Sequence, residues 1–216
     1  TKINVPSDPS SAAFPTVAAL ITRDSSIELT NVCANSLRFG LFEILIKMGA
    51  NITINCCDNA GGEKIAHLKV KSSKLRGITV PAEIAPRMID EYPILAVAAA
   101  FAEGTTVMLG LKELRVKESD RLSAIAKGLS ASGVKVKETI DSLTVYGKGG
   151  SVKGGALIKA NMDHRIAMAF LVMGMAAEKP IEIDDATTIQ TSFPNFYELM
   201  LNIGCKLTKS SSADKD

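Results

Sequence analysis

The sequence predicts an α/β fold, a single pseudo-threefold domain in which three similar units surround buried central helices. Two observations predict it. A helix-length segment of almost uninterrupted apolar residues occurs three times, and each time an amphipathic helix, a Gly and a short alternating strand follow. A helix that lacks a polar face must be buried on every side, so the three apolar segments belong at the centre.

The first unit, about 5–71, opens at Asp8. Its elements are an apolar helix, a strand, an amphipathic helix and two strands, predicted at 12–21, 27–29, 37–48, 51–54 and 66–71. Gly49 ends the second helix, because Gly readily adopts the left-handed conformation that closes a helix. The same Gly position aligns the other two units.

The second unit, about 78–146, and the third, about 158–208, repeat this order. The second is predicted at 94–102, 105–109, 122–132, 134–137 and 142–146, and the third at 166–177, 180–183, 196–203 and 205–208. An Asp opens each unit 41 to 43 positions before the aligning Gly (8 to 49, 90 to 133 and 163 to 204). Residues 209–216 are expected to be a flexible, solvated tail.

Composition limits the possible functions. The chain is 46% apolar with a formal charge of only +2, so it is globular and carries no large basic surface for nucleic acid. No apolar run approaches the roughly 20 residues of a membrane span, and the start does not resemble a signal peptide. Because the first residue is not Met, the chain is expected to begin inside a longer polypeptide.

The cysteines do not form a metal motif. Four Cys occur without a C-x-x-C pair, and the chain has only two His, so neither a zinc site nor any other metal site is expected. Free thiols in a reducing cytoplasm are the favoured interpretation. The glycine-rich stretch 147–155 lacks a Gly-Lys-Ser/Thr ending, so a mobile hairpin loop is favoured over a phosphate loop.

Charged residues are concentrated ahead of two predicted helices. Segment 114–122 carries five charges within seven residues, and Asp163, His164 and Arg165 precede the third apolar helix. Helix N-termini offer unpaired N–H groups and a positive dipole end, and added cations strengthen them as anion sites. A substrate with phosphate or carboxylate groups is therefore predicted.

The three apolar helices should start at a common surface. Asp8, Ser10 and Ser11 would then lie near Asp90 and near the 163–165 segment, and the ligand would bind there. Simpler roles remain open at this stage. Glu118 and Arg121 could form a solvated i, i+3 pair, and Asp163 could be only an N-cap.

Two further residues favour structural roles. Asp90 is followed closely by Pro93, which suits the first turn of a helix, so from the residues alone an N-cap is favoured for Asp90. His67 lies in a predicted strand and is expected at the surface.

The charged motifs and repeats resemble the C-terminal part of the 5-enolpyruvylshikimate-3-phosphate (EPSP) synthase family. The matching segments are 8–12, 89–104, 114–122, 163–168 and 191–194. The residues of these motifs are similar to those of bacterial members that glyphosate inhibits poorly. The 114–122 and 163–168 motifs are absent from the sister enzyme that uses a nucleotide sugar.

The resemblance implies an activity and an architecture. Members transfer the enolpyruvyl group of phosphoenolpyruvate to the 5-hydroxyl of shikimate 3-phosphate and release phosphate, a step of aromatic amino acid biosynthesis. They need no metal or organic cofactor. They are cytoplasmic monomers of two domains, each built from three βαβαββ units, and the ligands bind between the domains at helix N-termini.

The resemblance also implies residue roles. Asp90 would take the proton of the attacking hydroxyl, Glu118 would protonate the methylene carbon of phosphoenolpyruvate, and Lys117 would serve in these proton transfers. Asp90 and Lys117 would also contact shikimate 3-phosphate. The phosphoenolpyruvate-binding residues would be Arg121, His164 and Arg165, whose guanidinium groups suit carboxylate and phosphate.

Two positions depart from many members: Glu113 stands where they carry Asn, and Thr191 where they carry Lys. The lost Lys predicts weak glyphosate binding. The family's N-terminal domain, which supplies most groups that hold shikimate 3-phosphate, has no match here, so the chain alone is expected to be folded and inactive. The alternative is a non-catalytic anion-binding module of the same fold.

Overall fold

Residues 5–60 and 62–209 are described by the computed structural model of the chain, and they contain seven α-helices and nine β-strands. The helices are α1 (Pro9–Ile21), α2 (Gly40–Lys47), α3 (Tyr92–Phe101), α4 (Arg121–Ala131), α5 (His164–Ala176), α6 (Ile189–Ser192) and α7 (Phe196–Asn202). The strands are β1 (Ser26–Cys33), β2 (Asn51–Ala60), β3 (Glu63–Lys71), β4 (Thr79–Val80), β5 (Glu103–Met108), β6 (Lys135–Glu138), β7 (Leu143–Lys148), β8 (Leu157–Ile158) and β9 (Glu182–Ile183). Short 3-10 turns cover Ala82–Arg87, Ile89–Glu91 and Lys112–Val116.

Helices α1, α3 and α5 form the centre, and each packs against the other two. All ten residues of α3 are buried, four of them Ala, which allows its neighbours to approach closely. This confirms the prediction that the three apolar segments are central helices. Since the helices have no exposed polar face, burial of apolar surface by the surrounding elements stabilises them.

Each third of the chain contributes one sheet around these helices. The first has the strand order β1-β3-β2 and is antiparallel. The second has the order β4-β5-β7-β6, with β4 parallel to β5 and the other pairs antiparallel. The third is the parallel pair β8-β9. Alternate side chains of β3, Ala66, Leu68 and Val70, are fully buried, as expected for a strand with one face on the core.

The third unit is shorter than predicted. Residues 205–208 do not form a strand, so that prediction is wrong. In the first two units this strand pairs with a following one, β3 or β7, and the third unit has no such partner within the described residues. Instead, the Tyr197 hydroxyl donates to the Leu207 carbonyl at 2.9 Å and holds the segment.

The glycine-rich stretch is not a hairpin loop, which corrects that prediction. It connects β7 to β8, and these strands belong to different sheets. Gly147 at its start lies against α3, where an added Cβ would be 2.1 Å from the Ala102 carbonyl oxygen. Glycine is therefore required there by close backbone approach, and no phosphate need be invoked.

None of the described helices is long and apolar enough to cross a membrane. The unit boundaries at 5–71, 78–146 and 158–208 stay predictions. The predicted flexible tail lies outside the described residues from 210 onward.

Candidate active site

The starts of the three central helices meet, as the sequence predicts. The Ser10 hydroxyl of α1 donates to Glu91 Oε1 at 2.6 Å, and Arg165 Nη1 of α5 donates to the same oxygen at 3.3 Å. Arg165 Nη1 also donates to the Asp90 carbonyl oxygen at 3.1 Å. Polar groups from all three units are thus bonded to one another at one end of the helix trio.

Arg121, the first residue of α4, is a fully buried charge at the centre of the site. Its Nε donates to Asp163 Oδ2 at 2.7 Å and its Nη1 to Asp90 Oδ1 at 2.8 Å. Its Nη2 is in ion-pair contact with Glu118 Oε2, so the i, i+3 pair is present, but it is not the solvated pair considered from sequence because Arg121 is buried. The side chain is only 1% exposed, because three carboxylates surround the guanidinium. The family resemblance implied that Arg121 binds phosphoenolpyruvate, and that role stays a prediction; in this structure its guanidinium contacts three carboxylates.

Asp163 is the N-cap that the sequence allowed, and it also forms an ion pair with Arg121. As the N-cap of α5, its Oδ1 accepts from the backbone N–H of Arg165 at 3.0 Å. Its Oδ2 accepts from Arg121 and also from the Ser119 hydroxyl at 3.0 Å. The residue is fully buried, so it joins α5 to the start of α4 within the protein interior.

Asp90 does not cap α3, and the favoured N-cap interpretation is wrong. It lies in the 3-10 turn before the helix, and its carboxylate faces Arg121 and Lys117, with Lys117 Nζ at 3.4 Å. Burial acts to raise the pKa of Asp90, but the positive charges of Arg165, Lys117 and Arg121 outweigh it and lower the pKa below the usual value. Asp90 is therefore held as a carboxylate.

Lys117 lies between two carboxylates. Its Nζ is 2.7 Å from Glu113 Oε1 and also contacts Asp90, and these partners raise the pKa of Lys117, with the Glu113 hydrogen bond contributing most. Lys117 therefore remains an ammonium group at neutral pH. Glu118, the next residue, is half exposed and open to a ligand.

His164 borders a small cavity at the same surface. The cavity has a volume of about 30 Å³ and is lined by Asp8, Ser10, Ser11, Phe14, His164, Arg165, Met168, Ser192 and Phe193. Burial, followed by the charge of Arg165, lowers the pKa of His164, which favours the neutral imidazole. In the described part of the chain, no three His, Cys, Asp or Glu side chains are grouped to hold a metal ion.

Two residues of the site, Arg38 and Glu91, were missed from sequence, and Arg115 was noted only as one charge of the 114–122 segment. Arg38 Nη2 donates to Asp8 Oδ1 at 3.0 Å and to the Ser10 hydroxyl at 3.1 Å. Arg115 ties the segment before α4 to the β6–β7 turn. Glu91 is buried between Ser10 and Arg165. The sequence feature that could have revealed it is a carboxylate placed directly ahead of a wholly apolar helix.

A family model described as EPSP synthase (3-phosphoshikimate 1-carboxyvinyltransferase) matches residues 1–200. The chain belongs to the EPSP synthase family. The 3-phosphoshikimate 1-carboxyvinyltransferase of Paramagnetospirillum magneticum is 58% identical over 204 residues, which is 94% of this chain and 46% of that protein. The Brucella abortus protein of the same name is 56% identical over 97% of this chain and 47% of its own length.

Solved structures agree with this family. The EPSP synthase of Acinetobacter baumannii superposes with a TM-score of 0.93 and 44% identity, covering 97% of this chain and 48% of that one. The enolpyruvyl transferase NikO of Streptomyces tendae, at 18% identity and a TM-score of 0.69, shares the fold. The chain spans about half the length of the EPSP synthases that it matches.

Proposed function

We propose that the chain is the C-terminal half of an EPSP synthase and forms one wall of its active site. The observation that supports this most strongly is the single network in which Asp90, Lys117, Glu118, Arg121 and Arg165 meet at the helix N-termini. In the family reaction the enolpyruvyl group of phosphoenolpyruvate passes to the 5-hydroxyl of shikimate 3-phosphate. Both substrates are anions, which suits this surface.

The carboxylates supply the proton transfers. Glu118 donates a proton to the methylene carbon of phosphoenolpyruvate, which makes the adjacent carbon electrophilic. The 5-hydroxyl oxygen then forms a bond to that carbon while its proton passes to Asp90. In the second stage the carbon–oxygen bond to phosphate breaks, the methyl group returns its proton to Glu118, and the proton on Asp90 leaves with phosphate. Asp90 suits this role because its lowered pKa keeps it ionised before the reaction.

The cations bind and orient the substrates. Lys117 is an ammonium group between Asp90 and Glu113, where it is placed to contact shikimate 3-phosphate and to serve in the proton transfers. Arg165 and the neutral His164 border the small cavity and bind phosphoenolpyruvate. Holding both substrates with their reacting atoms adjacent contributes a large share of the rate enhancement in such reactions.

Arg121 binds phosphoenolpyruvate only by an exchange of partners. Its Nε and Nη1 are bonded to Asp163 and Asp90, so Nη2, now in contact with Glu118, is the nitrogen that a ligand reaches. Phosphoenolpyruvate that takes Nη2 releases Glu118. Released from Arg121, Glu118 is available for the acid role proposed for it.

Weak inhibition by glyphosate is part of the proposal. Thr191, which stands where many members carry Lys, precedes Ser192 and Phe193 at the cavity. Its hydroxyl donates to the Thr188 carbonyl at 2.7 Å and brings no positive charge. A cytoplasmic location is proposed as well, since Cys33, Cys56 and Cys205 are free thiols.

The test joins this chain to the part of the Paramagnetospirillum magneticum relative that it does not cover. Phosphate release from phosphoenolpyruvate is then measured with and without shikimate 3-phosphate. We expect release that depends on shikimate 3-phosphate and is reduced at least 100-fold, on the order expected for a general acid or base, by Glu118→Gln and by Asp90→Asn.

The matched control is Glu43→Gln. Glu43 pairs with Arg87, and neither is among the residues proposed to bind substrate or transfer protons, so this variant should keep its activity. A correctly assembled protein that releases no phosphate would contradict the proposal. Retained binding of inorganic phosphate in that protein would favour the alternative, a non-catalytic anion-binding module.

A further inference from the structure

Glu91 is a buried carboxylate that has no part in the proposed proton transfers. It is 7% exposed and lies in the 3-10 turn directly before α3. A charge in this position is costly unless hydrogen bonds compensate for its burial. Burial, more than any other factor, raises the pKa of Glu91, and the charge of Asp90 adds to the effect, whereas Ser10 and Arg165 oppose it. Because burial of this charge is costly, the contacts of Glu91 are expected to have a role in the protein.

Its contacts connect all three units. Oε1 accepts hydrogen bonds from the Ser10 hydroxyl at 2.6 Å and from Arg165 Nη1 at 3.3 Å, and Ser10 is itself contacted by Arg38 at 3.1 Å. Arg165 Nη1 is therefore held by two acceptors, Glu91 Oε1 and the Asp90 carbonyl oxygen. Its Nη2 lies 3.9 Å from Asp90 Oδ2, too far for a hydrogen bond.

We propose that Glu91 is a positioning residue that fixes the direction of the Arg165 guanidinium, so that Nη1 is held by the protein and Nη2 is presented to the anion in the cavity. This rests on the proposed function, in which Arg165 binds phosphoenolpyruvate. An arginine side chain loses considerable rotational freedom when it binds a ligand. A guanidinium that is already held loses less on binding, and the affinity for the anion increases.

Glu91 also has an opposite effect on anion binding, and this makes the proposal testable. Its negative charge repels an anion near Arg165, so its removal should favour binding if charge alone mattered. Glu91→Gln removes the charge but keeps an amide oxygen that can accept from both Ser10 and Arg165. Glu91→Ala removes the charge and the acceptor together. Positioning therefore predicts that the two variants differ, whereas a pure charge effect predicts that they agree.

The first measurement is the rate at which the Arg165 guanidinium rotates about its Cζ–Nε bond. Nitrogen NMR on the 216-residue chain gives this rate. It requires no substrate, so it is independent of the proposed function. We expect slow rotation in the wild type and in Glu91→Gln, and rotation about tenfold faster in Glu91→Ala, as loss of one charge-assisted hydrogen bond implies. Unchanged rotation in Glu91→Ala would overturn the proposal.

The second measurement is titration of the same variants, now built into the joined enzyme described under the proposed function, with phosphoenolpyruvate and, separately, with inorganic phosphate. We expect Glu91→Ala to bind phosphoenolpyruvate about tenfold more weakly than wild type and Glu91→Gln to bind at least as tightly as wild type. If both variants bind more tightly, or both bind as the wild type does, Glu91 acts as a charge or a packing residue and the proposal fails.

Glu43→Ala is the matched control, because it breaks another Glu–Arg pair, with Arg87, that does not include Arg165. It should change neither the rotation of Arg165 nor anion affinity. If every protein, the wild type included, fails to bind phosphoenolpyruvate, the assignment of Arg165 as its ligand is rejected. The rotation measurement then still decides whether Glu91 positions Arg165.

Discussion

Arg121 and Asp163 form an ion pair that is excluded from solvent, with Nε 2.7 Å from Oδ2 and side chains exposed by 1% and 0%. Two buried charges offset the loss of their hydration only when their geometry is good and their other polar atoms are bonded. Here the backbone N–H of Arg165 and the Ser119 hydroxyl complete the partners of Asp163. The pair joins the two charged motifs that the sequence singles out.

Asp163→Ala should lower the free energy of unfolding by about 3–5 kcal/mol, the usual effect of removing one partner of a buried ion pair. Urea unfolding measures it. The control is Asp8→Ala, which removes the half-exposed N-cap of α1 and should lower the free energy by only about 1 kcal/mol. Equal losses in the two variants would show that Asp163 acts only as a cap.

His164 should titrate below the usual histidine value of about 6.5, because its pKa is lowered by burial and by Arg165. The unfolded chain then binds more protons than the folded one between the two pKa values, so stability falls as the pH drops from about 6.5 through the folded pKa. Proton NMR follows the two histidines, and His67→Gln assigns them. Inorganic phosphate should raise the pKa of His164; a midpoint above 6.5 without phosphate would contradict the expectation.

Gly128→Ala should destabilise the protein although alanine favours helices. An added Cβ would lie 2.2 Å from Cζ of the buried Phe170, and overpacking of this kind costs about 1–3 kcal/mol, more than the gain of up to about 1 kcal/mol in helix propensity. Thermal unfolding measures the change. The double variant with Phe170→Leu should recover much of the loss, and strictly additive effects would argue against the clash.

Thr191→Lys should tighten inhibition by glyphosate by about tenfold, which corresponds to about 1.4 kcal/mol of added attraction for an anion near the cavity. The measurement is the inhibition constant of the joined enzyme against phosphoenolpyruvate. Thr191→Gln has a long side chain without the charge and should leave the constant close to that of the wild type. Tightening in both variants would indicate contact area as the cause.

Arg115→Ala should loosen the segment that carries Lys117 and Glu118. Arg115 donates from Nε to the Ile140 carbonyl at 2.8 Å, from Nη1 to Asp120 at 2.9 Å and from Nη2 to Glu138 at 2.8 Å. Loss of these bonds, each contributing on the order of 1 kcal/mol, should speed amide hydrogen exchange at 116–119 by about tenfold or more. Arg87→Ala, which removes a similar cluster elsewhere, should leave exchange at 116–119 unchanged.

The sequence predicted the fold where periodicity was strong. The central helices and the hairpins of the first two units follow from uninterrupted apolar runs and from strict alternation. The segment 205–208 has the same alternation but no strand to pair with, and pairing cannot be read from a segment alone. The helix predicted at 37–48 begins only at Gly40, because a turn precedes it in which the Asn35 side chain accepts from the Leu37 N–H.

The sequence predicted where the site lies, but not which of its side chains contact one another. The meeting of the helix starts followed from the repeats, whereas the choice of partners for Asp90 depended on Arg121, which is distant in sequence and approaches only in the folded chain. Glu91 was missed because the adjacent Asp90 and Pro93 fitted an N-cap pattern. Local patterns weigh neighbours along the chain, whereas Asp90 finds Arg121 31 residues away and Glu91 finds Ser10 and Arg165 in the other units.

Ser10, Glu91 and Arg165 stand at nearly the same place at the start of their respective helices, yet one is a hydroxyl, one a carboxylate and one a guanidinium. The distribution of charge at the helix starts is therefore not threefold. Turning an anion by one third about the axis of the three helices would exchange an attractive neighbour for a repulsive one. The charges at this end of the helix trio therefore favour one orientation of an unsymmetrical anion over the others, which three identical units could not do.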